Sequence, residues 1–501
     1  MTRSTRTALA AILLLFILTA MLFVSRPGIE ADEALVANPT FYVWHGVPLM
    51  LINYLGALKA CFYTGLFSIV QPGPLSLRMP TVPLGAIAIL QFFLLLDRTV
   101  GRRAAWIGAL LLATDSMFVI HEAIDYGPTA LHFVLKLGAM LLLVRFDRSG
   151  SPRTLAAAFF LLGLGLWDKA IFAWAVFGVS LAAVLVVPRA VWRHLTLRNL
   201  AIAAVATVVG ALPLVIYNIE RPLDTFKSNV HLVQEPVAHK VFLLESTVRG
   251  DVMFNFLTAP DWPPHPGSAP KISQAISEVV RHPATNLTLW AVSLSCLGLF
   301  ARASRKPVLF GLFACAGTWL PMVLTAGAGD AAHHVILLWP FHFLAIAATL
   351  AAIPWAWTAT LVLCASNLLL TNEYYYQLAH SGPDVRWTDA IYPLAQDLKS
   401  LRPPNIYFVD WGIFEPVDLL SDHAPVHELD FSDTANLRKI VSDPRAAFVA
   451  HTAKYAYLPQ QRALLEEAAA GAGYEEAPVE IVYDHYGRAT FEVFRFRKIP
   501  L

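Results

Sequence analysis

Apolar residues in this chain come in blocks of about twenty, the number a helix needs to cross a hydrocarbon core roughly 30 Å thick. In such a core only helices and closed barrels satisfy their own backbone, so block length constrains this chain more than any other feature. About eleven stretches fit: 8–24, 80–96, 104–120, 128–145, 154–167, 170–187, 199–217, 286–300, 307–325, 333–351 and 353–370. The stretch from Tyr42 to Val70 is apolar and aromatic but broken by His45, Pro48, Asn53 and Lys59. It reads as a segment lying along the interface. The 501 residues are 56% hydrophobic and 15% charged, whereas a soluble chain carries roughly a quarter charged residues. The expected class is a polytopic α-helical membrane protein.

Arginine sorts the turns. One set holds Arg3 and Arg6; Arg98, Arg102 and Arg103; Arg145, Arg148 and Arg153; Arg189, Arg193 and Arg198; and Arg302, Arg305 and Lys306. The alternate set reads GIEADEA, HEAIDYGP, WDKA and GAGDAAHH, rich in acids and histidines. Excess Lys and Arg marks the cytoplasmic side. The N-terminus is therefore expected inside, and the acidic loops open on the other face, periplasmic in a bacterial inner membrane or lumenal in a eukaryote. Met1 to Val24 has the basic start and apolar core of a signal peptide. No small-x-small cleavage site precedes the acids, so it is read as a retained first helix.

Two larger pieces fall on that outer side. The loop 221–285 contains APDWPPHPGSAP and is expected to be irregular. Residues 1–371 are read as the membrane domain and 372–501 as an extracytoplasmic α/β domain. In the latter, Asn405–Gly412, Pro425–Phe431, Arg445–Thr452 and Ala489–Lys498 read as strands, and Trp387–Leu401 and Leu458–Gly473 as helices. A net charge of +1 gives no field for nucleic acid, and the four cysteines form no CxxC or Cys/His zinc spacing and read as small hydrophobes; no cofactor or protein-held metal is assigned, and assistance by a divalent metal stays open.

Chemistry-bearing residues cluster on the outer face. Asp32 and Glu33 follow the first span, either as a solvated flank or as a carboxylate poised to take a proton. In HEAIDYGPTALHFVLKL, Asp125, Thr129, His132 and Lys136 fall at i, i+4, i+7 and i+11, one stripe of a helix begun by Pro128. Lys136 would lie near mid-membrane, where it must pair with an acid such as Asp115 or line a cavity holding an anion. Asp168 and Lys169 occupy a tight turn, as a salt bridge with Trp167 anchoring the interface, or with the lysine reaching a phosphate. Asp330, His333 and His334 precede a later span. Adjacent histidines diverge by about 100° on a helix and do not suit a metal clamp.

Together these pieces resemble the GT-C superfamily of polyprenyl-phosphate-dependent glycosyltransferases. The nearest groups are the bacterial family-39-like enzymes related to protein O-mannosyltransferases and lipid A aminoarabinose transferases. The resemblance is carried by ADEA in loop one, LSLRMPTVPLGAIAIL, GRRAAWIGALLLATDSMFVIHEAID, the GLGLWDKA turn and the α/β tail. It covers roughly Leu9 to Leu370, in pattern more than in identity. It implies a polyprenyl-phosphate-linked sugar donor, a hydroxyl acceptor on a glycan, lipid or protein, and inversion at the anomeric carbon. It also implies a catalytic carboxylate at Asp32, with Glu33 beside it, and a second acid at Asp125. Relatives carry a Phe-Glu-Lys-Pro-Pro type motif after loop one whose lysine meets lipid phosphate. Here VWHGVPL stands in its place, with His45 and Gly46 where that acid and base would be. Lys136, Lys169 or Arg78 are the candidate substitutes. His121, Glu122, Asp168, His333 and His334 complete the expected substrate contacts. Two other readings compete: a catalytically inactive glycan-binding or assembly protein of the same fold, and a transporter, whose charges should lie mid-span on several discontinuous helices.

Overall fold

Long runs of Leu, Ala, Phe and Val fold as helix, and each predicted span falls on one helix or on two consecutive ones. The computed structural model describes residues 3–38, 49–232, 236–259, 262–263, 268–281, 284–421 and 425–500. His45 and most of the VWHGVPL stretch lie outside the described residues. Among those described, Arg3–Val24, Pro74–Thr99 and Arg302–Leu324 are each long and apolar enough to cross a bilayer. Counting each bent pair of helices as one span raises the total from three to as many as seven. The other expected spans fall on helices that are shorter or more charged, such as Pro152–Asp168 and Ala130–Ser149.

The bends have local causes. Pro188 starts the helix Pro188–His194, turned 104° from Phe172–Val186. Proline also stands in the first turn of Leu212–Glu220, turned 73° from Leu197–Gly210. Both lack an N–H that would continue the preceding ladder. At Asp115 the backbone turns extended and the helix restarts at Ser116, bent by 59°. Close packing holds the bundle together. A Cβ on Gly178 would stand 2.2 Å from Thr318 Oγ1, so glycine lets Phe172–Val186 lie directly against Arg302–Leu324. The main core joins Phe16, Phe92, Phe118 and Phe133 to Trp339 and Trp387, all buried.

The interfacial stretch folds as a short hairpin, Met50–Ile52 with Leu55–Gly56, followed by the helix Leu58–Phe67. Ten residues of helix reach only about 15 Å, too short to cross. The 221–285 loop departs from the irregular chain that its composition suggested. It contains the helices Asp224–Asn229, Val237–Arg249 and Lys271–Val280. The Pro-rich stretch between the last two has no helix among its described residues.

The tail carries a five-stranded sheet in the order Val426–Glu428, Asn405–Phe408, Ala446–His451, Ala489–Phe494, Glu480–Tyr483. The first three strands run parallel and the last two pair antiparallel. The central Ala446–His451 is buried at every position, as a strand covered on both faces must be. The helix Ala356–His380 runs unbroken through residue 371 and links this domain to the bundle. The tail docks on loop one: Gly28 N–H donates to Trp387 O at 2.6 Å, and Asn38 bonds Asp418. A Cβ on Gly28 would lie 1.9 Å from Thr388 O, so only glycine permits that approach.

Candidate active site at the mouth of the first span

Loop one is built around a five-residue helix, Ala31–Leu35, whose own sequence caps it. Glu30 accepts the Asp32 N–H at 2.8 Å while Glu33 accepts the Glu30 N–H at 3.0 Å, a reciprocal capping box. Glu33 is further held by Arg78, which has no solvent exposure. Arg78 Nε donates to Glu33 Oε2 at 2.9 Å and Nη2 donates to Glu33 Oε1. Its remaining N–H groups reach the carbonyls of Val24, Pro27 and Gly28 at 2.7–2.9 Å. The two residues thus clamp the end of the first span to loop one.

Asp32, the next residue around this helix, is left half-buried. Its carboxylate has no hydrogen bond or ion pair among the described residues. Its charge acts on Lys169, Tyr54 and Glu30. Burial first, then the Asp32 charge, hold the Glu30 carboxyl well above its usual range. Asp32 is thereby the freer of the three loop-one acids.

The HEAIDYGP loop supplies the facing groups, in an arrangement that differs from the expected stripe. His132 and Lys136 lie on the helix Ala130–Ser149, but Asp125 and Thr129 precede it. Asp125 ends the Ser116–Ile124 helix in a left-handed conformation, φ 44°. There its Oδ1 accepts the Ala130 N–H at 2.9 Å and its Oδ2 meets Lys59 Nζ at 2.7 Å. The chain reverses at Asp125, so spacing counted through it cannot define one face.

Lys59 is the site residue that the sequence reading passed over; it figured only as a break in an apolar stretch. The available signal was its cost: a lysine in a short aromatic helix needs a carboxylate, and none lies within that helix. The hairpin brings in Lys169 as well. Ala170 N–H donates to Tyr54 O at 2.8 Å, and Lys169 Nζ donates to Gly127 O at 2.9 Å. Burial lowers the Lys169 pKa and Lys59 lowers it further, while Asp32, Asp168 and Asp125 raise it. Two buried lysines therefore stand among three acids.

Beneath them His132 Nε2 faces Asp168 Oδ2 at 3.3 Å, both buried. Glu122 is fully buried, with neither carboxylate oxygen hydrogen-bonded, and His121 Nδ1 lies 2.7 Å from Met117 O. Tyr126 packs edge-on against His333, ring centres 4.8 Å apart. His334 Nδ1 meets Asp330 at 3.1 Å, yet its ring stays edge-on to that of His333, centres 4.2 Å apart, so the two histidines do not diverge as expected. Among the described residues no three His, Cys, Asp or Glu side chains could together hold a metal ion.

Lys136 is placed otherwise than expected. Among the described residues it pairs with no acid; its Nζ donates to Leu337 O at 2.7 Å and Trp339 O at 2.6 Å. These carbonyls belong to the break between Ala332–Leu338 and Phe341–Leu350. Asp115 caps the neighbouring break, accepting from Phe118 N–H and from Trp339 Nε1, each at 2.8 Å.

No family model matches the chain, and no curated protein sequence matches it. Solved structures do. ArnT from Cupriavidus metallidurans bound to undecaprenyl phosphate superposes with a TM-score of 0.61 at 11% identity, over 98% of this chain and 97% of that one. The archaeal oligosaccharyltransferase AglB from Archaeoglobus fulgidus, in complex with an inhibitory peptide and a dolichol-phosphate, gives 0.51 at 11% identity. That match covers 100% of this chain and 76% of AglB. Identity this low speaks to the fold alone, but nearly the whole length takes part, tail included. The chain has the multi-pass helical membrane fold of ArnT and AglB, with a mixed α/β domain at its C-terminus.

Proposed function

We propose that this protein is an integral-membrane glycosyltransferase. It moves a sugar from a polyprenyl-phosphate-linked donor to an acceptor hydroxyl at the outer face of the bilayer, inverting the anomeric carbon. The observation that carries this reading is a half-buried Asp32 whose charge acts on the buried Lys169, with the buried Lys59 acting on that same lysine, at the end of the first span.

Each group has a defined task. A phosphate leaving group departs as a stable anion and asks mainly for nearby positive charge, which has most effect where water is scarce. Lys59 and Lys169 supply it, taking the place of the motif lysine that VWHGVPL lacks. The acceptor hydroxyl loses its proton as the new bond forms, and Asp32 takes it. Asp125 orients Lys59, while Glu33 and Arg78 fix the helix that aims Asp32. Three features support the reading: the whole-length likeness to a fold found with undecaprenyl phosphate in ArnT, the acids at the outer ends of spans, and the alternation of arginine between turns. That alternation also supports a cytoplasmic N-terminus and an extracytoplasmic tail.

The lysine assignment can be tested without knowing the sugar. Undecaprenyl phosphate is titrated into purified protein carrying Lys59→Met or Lys169→Met. Each variant should bind at least about tenfold more weakly than wild type. Wild-type affinity in both folded variants would move the phosphate elsewhere.

A further inference from the structure

On the side of the arginine-rich turns, the helices part around a second space. The helix Ala130–Ser149 connects the two regions: from His132 to Arg148 is sixteen residues, roughly 24 Å. This space has a volume of about 580 Å³. Its walls are apolar, formed by Met140, Phe159, Val179, Ala183 and Ala203 among others. The bend at Pro188 opens it, because the short helix Pro188–His194 turns 104° away from the span before it.

The rim is polar and positive. Arg148, His194, Asn199 and Lys306 line it, with one acid, Asp147. That acid is already engaged by Arg193 at 2.5 Å and His194 at 3.1 Å. Arg148 is held at the rim by its hydrogen bond to Arg98 O at 2.8 Å. The positive charge of Arg148 and Lys306 is therefore not neutralised by Asp147, the one carboxylate among the described residues of the rim.

Water fills such a space poorly, since apolar walls offer it no hydrogen-bond partners. A hydrocarbon chain loses nothing there, and an anionic headgroup at its end would meet two cations at headgroup depth. We propose that this cavity binds one anionic phospholipid of that leaflet, an acyl chain between the helices and the phosphate on Arg148 and Lys306. The bound lipid would fill the space that these helices leave between their direct contacts, and it is independent of the transfer chemistry at the opposite face. The far end of a polyprenyl donor tail is the rival occupant.

The test uses delipidated full-length protein and native mass spectrometry with phosphatidylglycerol, phosphatidylcholine and undecaprenyl phosphate added separately. Wild type should bind one phosphatidylglycerol about tenfold more tightly than phosphatidylcholine. Arg148→Gln with Lys306→Gln should erase that preference, and Ala203→Phe, which fills the cavity, should remove the tight phosphatidylglycerol. Unchanged phosphatidylglycerol binding in folded Ala203→Phe overturns the proposal. So does loss of undecaprenyl phosphate binding alone, which assigns the cavity to the donor tail. Photo-crosslinking of wild type with a phosphatidylglycerol bearing a diazirine on its acyl chain does not depend on any variant folding. Label concentrated on Met140, Phe159 and Ala203 supports the site, and label spread evenly over the lipid-facing helices refutes it.

Discussion

Arg78 illustrates what single residues disclose and withhold. In the sequence it is one cation after an apolar stretch, equally suited to meet lipid phosphate or to pair inside the protein. In the structure it is fully buried and its N–H groups go to Glu33 and three carbonyls. Glu33 and Arg78 are 45 positions apart, and a contact at that separation leaves no periodic trace. Lys59 and Asp125 are 66 positions apart and were obscure for the same reason. Asp32, in contrast, was legible, because an acid next to a span's outer end needs no distant partner to be noticed. Arg78→Met would leave Glu33 buried and uncompensated, a loss of about 3–5 kcal/mol. Chemical unfolding of the purified protein should show that loss, together with reduced turnover as loop one slackens. A stability within about 0.5 kcal/mol of wild type would refute the clamp.

At the scale of elements, the deep polar residues repair broken helices. A transporter would place such charges mid-span on discontinuous helices around a site. Here the breaks exist, but Lys136 and Asp115 are occupied by the backbone groups that the breaks set free. In hydrocarbon an unsatisfied carbonyl is costly, so a lysine there can be structural. Helix existence was plain from the apolar blocks; helix continuity was not, because a bend such as that at Asp115 depends on tertiary partners like Trp339. The 125–136 stripe failed on the same ground, at the left-handed Asp125. Lys136→Met should lower stability by roughly 1–3 kcal/mol, as loss of a buried partner does. The same folded variant should bind undecaprenyl phosphate as wild type does. Weakened phosphate binding without loss of stability would return Lys136 to the site.

For the whole molecule, the order of membrane bundle and α/β tail was readable because a bilayer enforces segment length and a sheet enforces alternation. How the two parts meet was not, since Gly28, Asn38 and Asp418 carry no pattern that joins them. That junction contains a titratable group. Burial, with the neighbouring carboxylates of Glu428, Asp32 and Asp418, pushes Glu415 from 4.5 up to about 7. Because the folded form holds its proton longer than the unfolded chain, the stability it contributes is present below pH 4.5 and lost as pH rises towards about 7. Glu415→Gln should flatten this part of the melting-temperature profile, matching wild type in acid and exceeding it above about pH 7.5. Identical profiles would mean that Glu415 titrates alike in both states.

The central claim is that Asp32 takes the acceptor's proton in a transfer from a polyprenyl phosphate. Its most direct test is turnover of polyprenyl-phosphate-linked sugars by reconstituted wild-type and Asp32→Asn protein, read as release of free polyprenyl phosphate. The expected result is an intact variant whose turnover falls at least about a hundredfold. Near-normal turnover in a folded, fully inserted Asp32→Asn protein would contradict it.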